Sequence, residues 1–150
     1  MKLYIINPKP YLLQRIAATV IDYGIYSLIF GVYIYTFGDN SSPGKYTVHN
    51  LMALPLIAFW LLYFVVLEAA NSCTPGHDIM KLKVFKTDGR KPGYSDVLKR
   101  RLLDTIDIFF YGIPALITIV KTPKHQRLGD LWADTVVLKS SDITVKEIEF

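Results

Sequence analysis

A charged pair near the start of the chain is the first feature whose residue types could do chemistry. Arg15 stands just before, and Asp22 stands inside, an apolar run that extends from Ile16 to Phe37. Being seven residues apart, the two project from nearly the same face of a helix, about 10 Å apart along its axis. An ionised side chain at membrane depth normally faces protein or water and marks an ion or proton site. In the structural alternative, Arg15 snorkels to the headgroups and Asp22 hydrogen-bonds a neighbouring helix.

A second charged cluster precedes the third apolar run. Arg100 and Asp104 are four residues apart, Arg101 and Asp104 are three apart, and Asp104 and Asp107 are three apart. All of them could share one helical face. The arginines would neutralise the acids so that the segment inserts into a membrane. Two neighbouring carboxylates also raise one another's pKa, which suits proton exchange. Both roles stay open.

Other kinds of chemistry lack the residues they need. The lone Cys73 cannot form a disulfide, and the three histidines have no spacing typical of a metal site. The chain has no phosphate loop, nucleophile elbow or zinc-protease motif. The net charge of +4 comes from basic residues that flank apolar runs, which fits anionic lipid rather than nucleic acid. We therefore expect no enzymatic activity, no metal, no cofactor and no nucleic-acid partner.

Three apolar runs define the elements that must position these charges. The runs at 16–37 and 51–67 have the length of membrane-spanning helices, whereas the third, at 108–120 within a segment of about 105–120, covers only about 20 Å. Hydrophobic residues make up 51% of the chain and charged residues 20%. We predict an all-α polytopic membrane protein that forms one domain over residues 1–150. It has two transmembrane helices and a third segment that is a re-entrant hairpin or a span.

The distribution of Lys and Arg predicts the orientation. The N-terminal arm has three such residues, the loop at 38–50 has one, and the segment at 68–101 has eight. An excess of basic residues marks the cytoplasmic side. This places the N-terminus and the central segment in the cytoplasm. The basic residues after the third run also favour the cytoplasm, so we favour a re-entrant hairpin bent near Gly112-Ile113-Pro114.

Two short segments have strand character. Lys81 to Lys86 alternates charged and apolar residues and is followed by the turn signal Asp88-Gly89, while Thr135 to Leu138 is apolar and β-branched. We predict that they form a small cytoplasmic strand pair. In the alternative, both are solvated linkers.

The segment at 14–22, Gln-Arg-Ile-Ala-Ala-Thr-Val-Ile-Asp, resembles the opening of the RDD family of prokaryotic membrane proteins, named for one arginine and two aspartates. The resemblance covers roughly residues 10–139, and its further motifs are Glu68, Thr74-Pro75-Gly76, Leu82-Lys83-Val84, Asp88-Gly89 and the closing stretch at 126–137. It implies that the family's charged triad is Arg15, Asp22 and Asp130. The supporting charged network would be Glu68, Arg100, Arg101, Asp104 and Asp107. We expect a shared network at the inner membrane boundary.

The chain departs from the family pattern at three positions. His77, followed by Asp78, stands where the family usually has Lys after the Thr-Pro-Gly turn. Asp134 stands where it usually has Gly, and Asp104 where an arginine is typical. The loss of Lys weakens any phosphate or headgroup site at the turn. A carboxylate at Asp134 could alter the surroundings of Asp130.

The resemblance implies little about activity. Transport has been proposed for the family, including cation/proton exchange, which suggests Asp22 as a titrating group assisted by Arg15 and Asp130. The alternative is an accessory or regulatory subunit of a larger membrane complex, in which the buried charges specify assembly. Either role implies contact with the lipid bilayer and a homo-oligomer or a larger membrane complex. The expected location is the inner membrane of a prokaryotic cell, crossed more than once.

Overall fold

The computed structural model describes residues 2–147 and shows a mostly helical chain with short strands. Its helices are α1 (Leu12–Phe37), α2 (Leu54–Trp60), α3 (Leu67–Asn71), α4 (Pro75–Ile79), α5 (Tyr94–Phe109), α6 (Ile113–Lys121) and α7 (Leu128–Trp132). Its strands are β1 (Lys2–Ile6), β2 (Asp39–Ser42), β3 (Lys45–Thr47), β4 (Lys83–Lys86), β5 (Thr135–Leu138) and β6 (Ile143–Glu147).

Two helices are long and apolar enough to cross a membrane. The first is α1, and the second is a continuous helix from Leu51 to Asn71 that includes α2 and α3. Both extend beyond the predicted spans, α1 by four residues at its start and the second helix by four at its end. The charges of Arg15 and Glu68 do not end these helices, because both side chains are buried against opposite charges.

The second helix contains a π-helical turn, Leu61–Val66, between α2 and α3. This turn places Tyr63, Phe64 and Val65 in the interior. The ring of Phe64 lies 4.9 Å from that of Tyr23 and 5.6 Å from that of Tyr26, both on α1. Aromatic packing therefore joins the two long helices at the π-helical turn.

The third apolar segment is bent. Helices α5 and α6 meet at an angle of 117° across a short break. Gly112 lies in this break with φ +77°, a conformation that glycine adopts without steric cost. The predicted bend near Gly112 is confirmed. By length and composition the pair is a broken span or a re-entrant loop, so the described residues hold two candidate membrane crossings, or three.

The predicted pairing of the two strand-like segments is confirmed. Strands β4 and β5 pair antiparallel, with Val84 opposite Val137. Both valines are buried with Leu82 in a small apolar core, against which Tyr11 and Met80 pack. Two further antiparallel pairs, β1 with β6 and β2 with β3, were not predicted. The described part of the chain is therefore mostly helical, with three two-stranded sheets where the sequence predicts one.

Candidate functional site

The largest group of buried charges centres on Asp130 in α7, which is fully buried. Its carboxylate accepts a hydrogen bond from Arg100 Nε at 2.7 Å, and it lies 3.4 Å from Arg15 Nη1 and 3.5 Å from Arg127 Nε. Burial raises the pKa of Asp130, but Arg100, Arg127 and Arg15 together hold it well below its usual range. Asp130 is therefore a permanent anion that joins three arginines.

Glycine allows α7 to reach this position. A Cβ atom at Gly129 would lie 2.6 Å from the backbone oxygen of Arg100, closer than atoms can pack. The backbones of α7 and α5 are therefore in direct contact beside Asp130. Only glycine at position 129 permits this contact without a shift of one helix.

A second acid, Glu68, extends the charged group towards the second long helix. Glu68 is fully buried at the end of that helix and pairs with Arg100 through one oxygen and with Arg101 through the other. Arg101 Nη1 lies 2.9 Å from Asp104 Oδ2, and Arg127 Nη1 lies 2.7 Å from Asp104 Oδ1. The ion pairs thus form one continuous network across α1, α3, α5 and α7.

The structure brings together most of the residues that the sequence selected. The network contains Arg15, Asp130, Glu68, Arg100, Arg101 and Asp104. It also contains Arg127, which the sequence placed among the basic residues after the third run and within the closing motif but not in the charged network. Its place immediately before the Leu-Gly-Asp of the closing motif was the available signal.

Asp22 lies in a second cluster, built by the turn around α4. Its carboxylate accepts hydrogen bonds from Thr74 Oγ1 at 2.5 Å, from Gly76 N at 2.7 Å and from Tyr63 OH at 3.3 Å. His77 Nδ1 lies 3.2 Å from the same carboxylate. Asp22 is 1% exposed, so four groups of the protein replace its water.

Arg15 and Asp22 do not bond to each other within the described residues, although they share a helix face. Arg15 instead reaches Asp130 and the backbone oxygen of Val137 at 3.4 Å. Asp22 is held by α4, which packs so closely on α1 that a Cβ at Gly76 would lie 2.3 Å from the oxygen of Ala18. The family triad is therefore divided between two neighbouring clusters.

His77 is a functional candidate that sequence reasoning noted only as a departure from the family pattern. Its Nδ1 lies 2.8 Å from Thr74 Oγ1 and its side chain is 7% exposed. Burial lowers the pKa of His77, and the nearby Arg101 lowers it further, while the hydrogen bond to Asp22 opposes both. The ring is therefore neutral at neutral pH and oriented by Asp22 and Thr74.

A cavity of about 340 Å³ lies between α1 and the bent pair α5–α6 and touches both clusters. Its walls are mostly apolar, and several, such as Val20 and Ile108, are exposed on the outer surface of the helices. Its charged and titratable lining residues are Arg15, Tyr23, His77, Arg100, Asp104, Asp107, Tyr111 and Arg127. The cavity thus connects the buried charges with the apolar surface of the protein.

Asp107 differs from the other buried acids. Its side chain is 6% exposed, yet neither carboxylate oxygen has a hydrogen-bond partner in the part of the chain that the structure describes. A buried carboxylate without partners carries a large desolvation cost in its charged form. Asp107 is therefore the acid of the site best placed to accept a proton or a cation. No group of three or more His, Cys, Asp or Glu side chains that could hold a metal ion occurs among the described residues.

Comparison with known proteins gives one match. No curated protein matches the chain, and no solved structure does. A family model matches residues 9–134, which is most of the chain, and it describes the RDD family.

Proposed function

Since the chain belongs to the RDD family, we propose that this membrane protein exchanges a monovalent cation for a proton at the buried charges beside the cavity. The observation that carries the proposal is the charge balance of the buried groups. The four arginines of the network are Arg15, Arg100, Arg101 and Arg127. The five carboxylates around them are Asp22, Glu68, Asp104, Asp107 and Asp130. With all of them ionised and His77 neutral, the buried set carries a net charge of −1.

An uncompensated charge in a low-dielectric interior costs several kcal/mol. One proton, or one monovalent cation, brings the buried set to neutrality. Both together would overshoot to +1, at a similar cost. Proton and cation therefore compete for one place, which gives exchange at a ratio of one to one.

Asp107 is the group at which we place this competition. Asp130 and Glu68 each bind two or more arginines, and Asp22 accepts hydrogen bonds from Thr74, Gly76 and Tyr63. The oxygens of Asp107 have no such partners among the described residues. Because Asp107 lines the cavity, we place the entry of the proton and of the cation there. Carboxylates of this kind mark ion and proton pathways in membrane proteins.

The orientation and the assembly belong to the same proposal. The basic residues support a cytoplasmic N-terminus in a prokaryotic inner membrane, with the ion-pair network near the cytoplasmic face. Two long helices and one bent pair are too few to enclose a pathway. We therefore propose that the working unit is a homo-oligomer or a larger membrane complex.

Exchange can be tested with purified protein in vesicles that contain a pH-sensitive dye. Addition of Na⁺ or K⁺ outside should raise the internal pH of vesicles loaded with wild-type protein as protons leave. Asp107→Asn should abolish this change, because the amide neither titrates nor supplies a negative charge. Asp88→Asn is the matched control, since Asp88 is exposed and its carboxylate contacts Arg90, its one partner among residues 2–147. Wild-type vesicles without any pH change, or an Asp107→Asn variant with full exchange, would overturn the proposal.

The alternative function is an accessory subunit of a larger membrane complex. The ion pairs of Asp130 and Glu68 favour it, because they fix the relative positions of the helices and would specify an assembly equally well. This alternative expects a mild-detergent purification to recover a second protein in constant ratio, with or without the Asp107→Asn change. Repeated recovery of this chain alone would count against it.

A further inference from the structure

The cavity has a second group that can carry a proton, the imidazole of His77. This side chain lines the cavity from α4, whereas Asp107 lines it from α5. The hydrogen bonds of His77 determine which of its two nitrogens can act.

The Nδ1 atom of His77 is occupied. The hydroxyl of Thr74 donates to Asp22 at 2.5 Å, which leaves the Thr74 oxygen free to accept from Nδ1 at 2.8 Å. The Asp22 carboxylate, 3.2 Å from Nδ1, can only accept. Both neighbours therefore require a hydrogen on Nδ1. In the neutral ring Nε2 then carries a lone pair, and within residues 2–147 it has no hydrogen-bond partner.

Resting on the exchange function proposed above, we propose that His77 Nε2 accepts the proton that Asp107 releases when a cation binds. The O–H bond of the Asp107 carboxyl breaks and an N–H bond forms at Nε2, with the proton passing through the cavity that both side chains line. The carboxylate left behind pairs with the incoming cation. The imidazolium pairs with Asp22, so each new positive charge has an anion beside it.

The charges around His77 make this protonation brief. Asp22 on α1 attracts the proton, while Arg101 on α5 and Arg127 before α7 oppose it. Tyr63 from the π-helical turn bonds to Asp22 and adds no charge while its hydroxyl is protonated. With the cation bound and His77 protonated, the buried set carries +1. That excess favours loss of the proton to water, which leaves the cation bound in a neutral set of buried charges.

The test compares the pH dependence of exchange in wild type, His77→Gln and His77→Lys. A positioned proton acceptor contributes about 100-fold or more to the rate of a proton transfer, so His77→Gln should slow exchange by about that factor and flatten its pH profile between about pH 5 and 8. His77→Lys should also be slow, because a lysine beside Asp22 stays charged. If the wild type exchanges and His77→Gln exchanges at the same rate with the same pH profile, this inference is overturned and the proposed function stays intact. If the wild-type protein shows no exchange at all, both this inference and the proposed function are overturned.

A spectroscopic measurement tests the orientation of His77 without any transport. In ¹⁵N spectra of protein in micelles, the signal that disappears in His77→Gln identifies His77 among the three histidines. We expect this signal to report a neutral ring protonated on Nδ1. Asp22→Asn and Thr74→Val should shift it towards a mixture of tautomers. A ring protonated on Nε2 in the wild type would contradict the proposal.

Discussion

Replacement of Asp130 by asparagine is the sharpest test of the ion-pair network. The amide keeps the size and shape of the side chain and removes its charge. Arg100, Arg127 and Arg15, which all contact this carboxylate, would then share only the remaining acids. The change therefore isolates the charge from the packing.

The expected loss of stability follows from the burial of the whole group. Asp130 and Arg100 are both fully buried, and Arg15 is 7% exposed. Removal of one partner from a buried ion pair costs about 3–5 kcal/mol, because the remaining charge stays buried without compensation. For a chain of this size each kcal/mol lowers Tm by about 2–4 °C, so Asp130→Asn should lower it by roughly 6–20 °C.

The assay is thermal unfolding of the detergent-solubilised protein, followed by tryptophan fluorescence. The control is Asp134→Asn, four residues further along. Asp134 is exposed, accepts a hydrogen bond from Thr87 Oγ1 at 2.7 Å and has φ 52°, a conformation that asparagine tolerates. The amide oxygen keeps this bond, so the control should change stability by less than about 0.5 kcal/mol.

The contribution of Asp130 to stability should depend on pH in a direction that its pKa determines. Because the folded pKa of Asp130 lies well below its usual range, its contribution is fully present above the unfolded value of about 4 and declines as the pH falls towards the folded pKa. The Tm difference between wild type and Asp130→Asn should be constant from about pH 5 to 8 and shrink in stronger acid. A Tm decrease no larger than that of Asp134→Asn would refute the reasoning.

Two further predictions concern packing and access. Gly129→Ala should destabilise the protein by about 1–3 kcal/mol in the same unfolding assay, because the new Cβ would meet the Arg100 backbone at 2.6 Å. The control is Gly24→Ala, which should be neutral or stabilising because the space around Gly24 is open. Cys73 is 7% exposed, and burial raises the pKa of its thiol. A maleimide at neutral pH should therefore label Cys73 slowly in mild detergent and rapidly in SDS. Equal labelling rates in the two detergents would contradict its buried position.

The elements of the fold were largely predictable because they depend on local composition. Apolar runs of sufficient length predict the two long helices, and Gly112-Ile113-Pro114 predicts the bend. Alternating and β-branched residues gave the β4–β5 pair. The pairs β1–β6 and β2–β3 were missed. The first joins residues at opposite ends of the chain, and the second follows an apolar run without strand-like alternation.

The contacts within the site were less predictable because they depend on how the elements pack. Spacing placed Arg15 and Asp22 on one helix face but could not show that α4 would fold back onto Asp22. That arrangement requires the close approach at Gly76, which is a tertiary contact. Arg127 was missed for a similar reason. A basic residue after an apolar run is typical of a membrane boundary, and only α7 packing on α5 brings it to Asp104.

The π-helical turn has a consequence for the chain's tolerance of small deletions. A π-turn accommodates one residue more than the α-helical repeat, and each residue of an α-helix advances the rotation by about 100°. Everything after Val66 is therefore rotated relative to an uninterrupted α-helix. Straightening Leu61–Val66 into a regular α-helix without removing a residue would swing Glu68 by about 100° away from its two arginines. Deletion of a single residue there would restore the regular repeat and leave Glu68 near its present angle. The angular position of this carboxylate is thus determined by the π-helical turn, and not only by the number of residues in the apolar stretch.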